Sequence, residues 1–64
     1  MTTKIKTYKN GAYVTFEYLG KDFIAPYIVL CRESNGIIHN QTICESRQTA
    51  RAYYKCFCKI AKNL

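Results

Sequence analysis

The chain has 64 residues and a formal net charge of +6, and 48% of its residues are hydrophobic. This composition is typical of a folded globular protein, and so short a chain forms a single domain, here residues 1–64, with little room for an enclosed active site. No apolar run of about 18 residues is present, which excludes a membrane-spanning helix, and Met1 to Lys4 show no secretory signal. We therefore expect a cytoplasmic protein that is not an enzyme and does not bind membranes.

The excess positive charge lies at the two ends of the chain. Residues 1–11 carry three lysines and no acid, residues 12–44 carry two bases against three acids, and residues 45–64 carry five bases against Glu45 alone. An uneven basic surface of this kind is a feature of proteins with anionic partners. Both ends of the chain are therefore candidates for a binding surface.

Three turn signals divide the first two thirds of the chain into strands. Asn10-Gly11 and Asn35-Gly36 favour two-residue type I′ turns, whose central positions both need a positive φ, and Gly20-Lys21 favours type II′. These signals predict an α+β fold, in which an antiparallel β-meander of three or four strands is followed by one C-terminal amphipathic helix packed on one sheet face. The predicted strands are Lys4–Lys9, Ala12–Leu19, Asp22–Arg32 and Ile37–Ile43.

The second and third predicted strands leave the register around Pro26 open. Alternation in the second strand predicts that Val14, Phe16 and Tyr18 face the core. With Gly20-Lys21 as the loop, Tyr18 pairs with Phe23, and the inward set continues through Ala25, Tyr27, Val29 and Cys31. Because Pro26 cannot donate to a ladder and is typical of edges and bulges, a bulge there would instead turn Ile28 and Leu30 inward.

From Thr42 onward the apolar period lengthens from two residues to about 3.6, which predicts a helix. Thr42 to Glu45 fits a capping box, and Ser46 is the alternative N-cap. The predicted apolar face is centred on Phe57 and includes Ala50, Tyr53, Tyr54, Ile60, Ala61 and Leu64.

The opposite face of this helix is basic. It carries Arg47, Arg51, Lys55, Lys59 and Lys62. Like charges four residues apart repel by about 0.2–0.5 kcal/mol per pair, and no acid is interleaved among these residues to offset that repulsion. We predict that this face, together with Lys4 and Lys6 of the first strand, binds an anionic partner, which is DNA, RNA or an acidic protein surface.

Two tyrosines are further candidate binding residues. Tyr8 and Tyr13 are predicted to be cross-strand neighbours on the sheet face away from the helix, where exposed tyrosines can stack on bases or anchor a protein interface. The same face would show more apolar surface than a monomer usually exposes. That excess favours a bulge at Pro26, a homodimer through the uncovered sheet face, or another partner.

The cysteines and the histidine show neither a catalytic pattern nor the spacing of a zinc site. Without a secretory signal, the four cysteines should be reduced thiols. Cys56 and Cys58 diverge when they lie two residues apart on a helix, unlike the paired cysteines of structural zinc sites. His39, the only histidine, has no Asp placed to orient it, and no paired carboxylates or glycine-rich phosphate loop are present. We expect no metal, no cofactor and no catalysis.

Part of the chain resembles a known DNA-binding family. Segment Lys4–Leu19 consists of a basic strand, the Asn10-Gly11 turn and an aromatic strand. Together with the later segment 46–51, it resembles the arm-type DNA-binding domains of tyrosine recombinases. That resemblance implies a three-stranded sheet in the DNA major groove, backed by a C-terminal helix. Residues 22–43 form a longer hairpin than that family has, and the bases here cluster on the helix. Segment 46–51 is also similar to the last helix of double-stranded-RNA-binding domains, whose N-terminal helix has no counterpart here.

Two functions compete at this point. In the first, the helix bases contact nucleic-acid phosphates while strand residues lie against a groove, and neutralising about four phosphates gives a log-log salt slope of about −3.6. In the second, the protein is an inhibitor or adaptor of the phage type, whose basic surface blocks an acidic or nucleic-acid-handling protein. Salt-dependent binding of DNA or RNA favours the first, and co-purification of one defined protein favours the second.

Overall fold

A computed structural model describes residues 2–64, with side chains from Lys4 onward. Four strands, β1 (Thr2–Thr7), β2 (Tyr13–Tyr18), β3 (Tyr27–Arg32) and β4 (Ile38–Cys44), form one antiparallel sheet in the order β1-β2-β3-β4, and helix α1 (Arg47–Lys62) follows. The predicted α+β meander with one C-terminal helix is confirmed. Within the described residues, no helix is long and apolar enough to cross a membrane.

The two Asn-Gly pairs form hairpin loops of a different type from the predicted one. The Gly11 N–H donates to the Tyr8 carbonyl, and the Tyr8 N–H donates to the Ala12 carbonyl, both at 2.9 Å. Gly11 has φ 87°, and no described residue other than glycine has a positive φ. This is a three-residue loop with a glycine bulge, which leaves the asparagine at negative φ. The second loop repeats the pattern with Glu33, Asn35, Gly36 and Ile37.

The loop at Asn10-Gly11 is also attached to the far end of the chain. Asn10 Oδ1 accepts from the Ala12 N–H at 2.9 Å, which closes the turn. Asn10 Nδ2 donates to the carbonyl of Ala61 at 2.8 Å and to that of Leu64 at 3.0 Å. The last carbonyls of a helix lack partners inside the helix, and Asn10 gives such a partner to the carbonyl of Ala61. It thereby ties the β1–β2 hairpin to the end of α1.

The connection between β2 and β3 is longer than predicted. Tyr18 pairs with Tyr27 rather than with Phe23, and the Leu19 N–H donates to the Pro26 carbonyl at 2.7 Å. Residues 19–26 therefore form the loop, and the two-residue turn at Gly20-Lys21 is wrong. Proline has no N–H to donate to a ladder, so β3 begins only after Pro26.

This register decides which residues of β3 face the core. Val29 and Cys31 are fully buried, whereas Ile28 and Leu30 are half-buried on the other face. A bulge at Pro26 that would turn Ile28 and Leu30 inward is therefore wrong. Ala25, expected in the inward set of the strand, lies instead in the loop.

Helix α1 begins later than the predicted capping box. Thr42 and Cys44 still pair with β3, opposite Val29 and Tyr27. Ser46, the alternative, is the N-cap, and its Oγ accepts from the Thr49 N–H at 3.2 Å. Strand β4 therefore continues through Thr42 and Cys44, which the capping-box prediction assigns to the start of the helix.

The core lies between α1 and strands β2, β3 and β4. On the helix it uses Ala50, Phe57 and Ala61, with Tyr54, Cys58 and Ile60 partly buried beside them. Tyr53 and Leu64, which were predicted on the apolar face, are 43% and 44% exposed. The packed face of α1 is therefore turned toward Tyr54, which brings the neighbouring bases closer to the sheet. Buried strand residues complete the core: Ala12, Val14, Phe16, Val29, Cys31 and Cys44.

We expect Asn10→Asp to destabilise the protein more than Asn35→Asp. In both variants the new carboxylate can still accept the hydrogen bond that closes its turn. The Asn10→Asp variant loses the donations to Ala61 and Leu64 and places a negative charge at the negative end of the helix dipole, a cost of about 1–2 kcal/mol. The Asn35→Asp variant loses no such contact and should stay within about 0.5 kcal/mol of wild type.

Urea unfolding followed by circular dichroism measures the free energy of unfolding of each variant. Equal losses for the two variants would mean that the Asn10 contacts with α1 do not stabilise the domain.

Candidate binding groove

One helix is too narrow to cover this sheet. Four strands spaced by about 4.8 Å span roughly 14 Å between their outer axes, and side chains extend further, whereas a helix is about 10–12 Å wide. Helix α1 packs on β2, β3 and β4. Strand β1 therefore extends beyond the helix, and a groove opens between them on the helix side of the sheet.

Two lysines of β1 lie on the same side of the sheet as the groove. Lys4 pairs with Phe16 and Lys6 pairs with Val14. Phe16 and Val14 belong to the core, and directly paired residues lie on the same face of a sheet. Both lysines are therefore on the helix face of β1, where they stay exposed because α1 does not reach over them.

The groove has a volume of about 420 Å³. Pockets of about 300–1,000 Å³ are the size that commonly binds small ligands. Its lining residues come from β1, β2, β3 and α1: Lys4, Phe16, Tyr18, Tyr27, Arg47, Arg51, Tyr54 and Lys55. Among these described residues are four bases, four aromatic side chains and no acid.

The aromatic side chains form a continuous row along the floor. The ring centroids of Tyr18 and Tyr27 are 5.2 Å apart, those of Tyr27 and Phe16 are 5.9 Å apart, and those of Phe16 and Tyr54 are 6.0 Å apart in an edge-to-face contact. Such pairs are favourable packing contacts. Phe16 is buried, and the three tyrosines are half-buried, so the row belongs partly to the core and partly to the groove.

The bases form the two rims of the groove. Lys4 Nζ lies 5.7 Å from the centroid of the Tyr54 ring, within the range of a cation–π contact. Arg47, Arg51 and Lys55 follow one another along the α1 rim at intervals of about 6 Å, and all three are exposed. Arg47 is in the first turn of α1, where the helix dipole adds partial positive charge. The groove is therefore electropositive along both sides.

The remaining predicted bases lie elsewhere. Lys6 Nζ is 5.7 Å from the centroid of the Tyr8 ring, outside the groove lining. Lys62 is at the other end of α1, beside Tyr8, Lys9 and Asn10. Lys59 is exposed on α1 and borders neither place. The predicted basic face thus divides into a groove half, with Arg47, Arg51 and Lys55, and a distal half.

The two candidate tyrosines lie on opposite faces of the sheet. Tyr13 pairs with Thr7 and Arg32 on the face away from α1. Tyr8 packs against the core on the helix side, so its predicted pairing with Tyr13 is wrong. The hairpin loop is one residue longer than a two-residue turn, and a slip of one residue moves a side chain to the other sheet face.

The Tyr8 hydroxyl interacts with the thiol of Cys58. A hydrogen bond with Cys58 is the main cause, and burial the second, that raises the pKa of the Tyr8 hydroxyl to about 12. Burial is also the main cause that raises the pKa values of the Cys31 thiol and the Tyr54 hydroxyl. Tyr8 and Tyr54 are therefore neutral at physiological pH, and the positive charge of the groove comes from its lysines and arginines.

The cysteines of the described chain are free thiols. Cys31 and Cys44 are buried, Cys58 is half-buried and Cys56 is exposed. Among the described residues, no three His, Cys, Asp or Glu side chains are grouped so that they could hold a metal ion.

Sequence reasoning missed the aromatic floor of the groove. Tyr54 was interpreted as core and Tyr18 as an inward strand residue, and both do face the helix side. A comparison of the width of one helix with that of a four-stranded sheet could have predicted this floor. One helix cannot cover four strands, so some aromatic residues on the helix side of the sheet must border the uncovered part.

No protein-family model, curated protein or solved structure matches this chain. The sheet also differs from the three-stranded sheet that the resemblance to recombinase domains implied, because β4 adds a fourth strand. Any functional conclusion therefore depends on the groove itself.

The raised pKa of Tyr8 predicts a loss of stability at alkaline pH. The unfolded chain releases the Tyr8 proton near pH 10, whereas the folded chain keeps it up to about pH 12. Within this pH window the folded state binds more protons than the unfolded state, so the free energy of unfolding falls as pH rises through it. Below the window, the stabilising contribution of Tyr8 is fully present.

Tyr8→Phe should make this alkaline loss shallower, and it should remove the last step from a tyrosinate absorbance titration of the folded protein. Cys58→Ala, which removes the hydrogen-bond partner, should move that step to lower pH. A last titration step that persists unchanged in Tyr8→Phe would contradict the assignment.

Proposed function

We propose that this is a small, non-enzymatic nucleic-acid-binding protein that holds the phosphate backbone along its groove. Lys4, Arg47, Arg51 and Lys55 contact the phosphates in this proposal. The observation that supports it best is the composition of the groove lining. Basic side chains from both ends of the chain surround one aromatic floor, and no acid is among the described lining residues.

The charge pattern of α1 supports an anionic ligand. Its sixteen residues include no Asp or Glu, so the repulsion within the Arg47, Arg51 and Lys55 row, about 0.2–0.5 kcal/mol per pair, is not offset within the helix. A phosphate between two of these side chains would replace repulsion with charge-assisted hydrogen bonds. The free protein tolerates this arrangement, and an anion stabilises it.

Lys4 supports the same proposal from the opposite rim. It lies on the uncovered strand rather than on the helix, so a ligand between the rims meets positive charge on both sides. Arginine guanidinium groups on one side and a lysine ammonium on the other are common phosphate contacts in nucleic-acid interfaces.

We expect Arg51→Ala to weaken binding and Lys59→Ala to change it little. Both variants remove one positive charge from an exposed position of α1, so they share the same net charge, but only Arg51 lines the groove. Four phosphate contacts predict a log-log salt slope of about −2.8 for a single strand or −3.6 for a duplex, and loss of one contact reduces its magnitude by about 0.7–0.9.

Fluorescence anisotropy with a labelled oligonucleotide over a range of salt concentrations measures both the affinity and the slope. Binding that is independent of salt, or equal losses in the two variants, would contradict phosphate contact in the groove.

A second candidate function is protein binding through the sheet face opposite α1. This face exposes Ile5 and Ile43, which are 63% and 58% accessible, beside half-buried Tyr13, Ile28 and Leu30. Clustered exposed apolar side chains are typical of an interaction surface, and these lie on the opposite face of the sheet from the groove. The groove remains the better supported site, since its chemistry points to a class of ligand.

If a second copy of the chain covers this face, light scattering should give twice the monomer mass of 7.4 kDa. Ile43→Lys should then restore the monomer, because it places a charge in the interface while changing only an exposed side chain. Lys59→Glu, on the helix side, is the control and should leave the mass unchanged. A monomeric wild type would rule out the homodimer.

A further inference from the structure

The floor of the groove has a property that phosphate binding does not use. Tyr18, Tyr27 and Tyr54 are half-buried in a recess lined by β1, β2, β3 and α1. A flat group that stacks on these rings enters the recess. Bases in a duplex are stacked on one another and present only their edges in the grooves, so a duplex offers no base face to these rings.

An unpaired base does offer such a face. Proteins that bind single strands combine a positively charged groove with aromatic side chains on which the bases stack. The present groove combines a row of aromatic rings, in which successive ring centroids are at most 6.0 Å apart, with four basic side chains along its rims. Stacking does not depend on base identity, because every base has a π face.

The volume of the recess also fits part of a nucleic-acid strand. Its volume of about 420 Å³ lies toward the lower end of the range for small-ligand pockets, about 300–1,000 Å³. That space suits a nucleobase with its sugar and is smaller than the body of a duplex. The charges are on the rims rather than on the floor, so phosphates at the rims and a base on the floor satisfy both parts of the groove.

We infer that the groove binds single-stranded nucleic acid, with at least one unpaired base stacked on the aromatic floor and the neighbouring phosphates held by the rims formed by Lys4 and by Arg47, Arg51 and Lys55. This inference rests on the proposed function and narrows its ligand from nucleic acid in general to unpaired strands.

The first test uses the wild-type protein and three oligonucleotides of about ten nucleotides, a length within the range bound by one single-strand-binding domain. One is a single strand, the second is its duplex, and the third is the same single strand with abasic sites, which keeps the phosphates but removes the bases. We expect the single strand to bind at least tenfold more tightly than either of the others at equal salt concentration.

The second test compares variants of adjacent tyrosines. Tyr54→Leu removes a ring from the floor, whereas Tyr53→Leu removes a 43% exposed ring that does not line the groove. Loss of one base–aromatic contact should weaken single-strand binding by about 5- to 150-fold in Tyr54→Leu and little in Tyr53→Leu. Tyr54→Phe keeps the ring and should retain most of the affinity, and circular dichroism of Tyr54→Leu checks that this variant is folded.

The outcomes distinguish this inference from the proposed function. If the duplex or the abasic strand binds as tightly as the intact single strand, while Arg51→Ala still weakens binding, the stacking inference is wrong and phosphate binding stands. If none of the three oligonucleotides binds with a salt-dependent affinity, both are wrong.

Discussion

The groove depends on the unequal widths of one helix and a four-stranded sheet. Helix α1 packs over β2, β3 and β4 and leaves the inner side of β1 uncovered. Had a second helix covered β1, Lys4 and Lys6 would have to be buried, and an unpaired buried charge is costly. The exposed lysines on β1 therefore agree with the presence of a single covering helix. Together they create a basic rim at a place where a larger domain would have further buried residues.

The rotation of α1 about its axis completes the site. Burial of Ala50, Phe57 and Ala61, with Tyr54 partly buried at their side, leaves Arg47, Arg51 and Lys55 at the margin of the packed face. The same contact between Phe16 and Tyr54 that fills the core also forms the floor of the groove. Stability and binding thus share residues here, so variants on the floor need a ring-preserving control, whereas variants on the rims do not.

Local signals in the sequence predicted most of the fold correctly. The Asn-Gly pairs marked the β1–β2 and β3–β4 hairpins, alternation in β2 placed Val14 and Phe16 in the core, and the 3.6-residue period marked the helix. The errors lie where a local pattern is ambiguous. Gly20-Lys21 resembles a turn, yet Pro26 delays β3, and Thr42 to Glu45 resembles a helix start, yet β3 holds this segment in the sheet.

For the candidate site, the basic face of α1 follows from the order of the residues alone, because a period of 3.6 residues places Arg47, Arg51 and Lys55 on one side of any helix. The position of Lys4 beside them, and the separation of Tyr8 from Tyr13, follow from the strand pairing in the folded chain. Both outcomes depend on one extra residue in the first hairpin loop, since a shift of one residue exchanges the faces of a strand. The bond from Asn10 to Ala61, across 51 residues, helps to hold that hairpin against α1, and no local pattern in the sequence records a contact so distant.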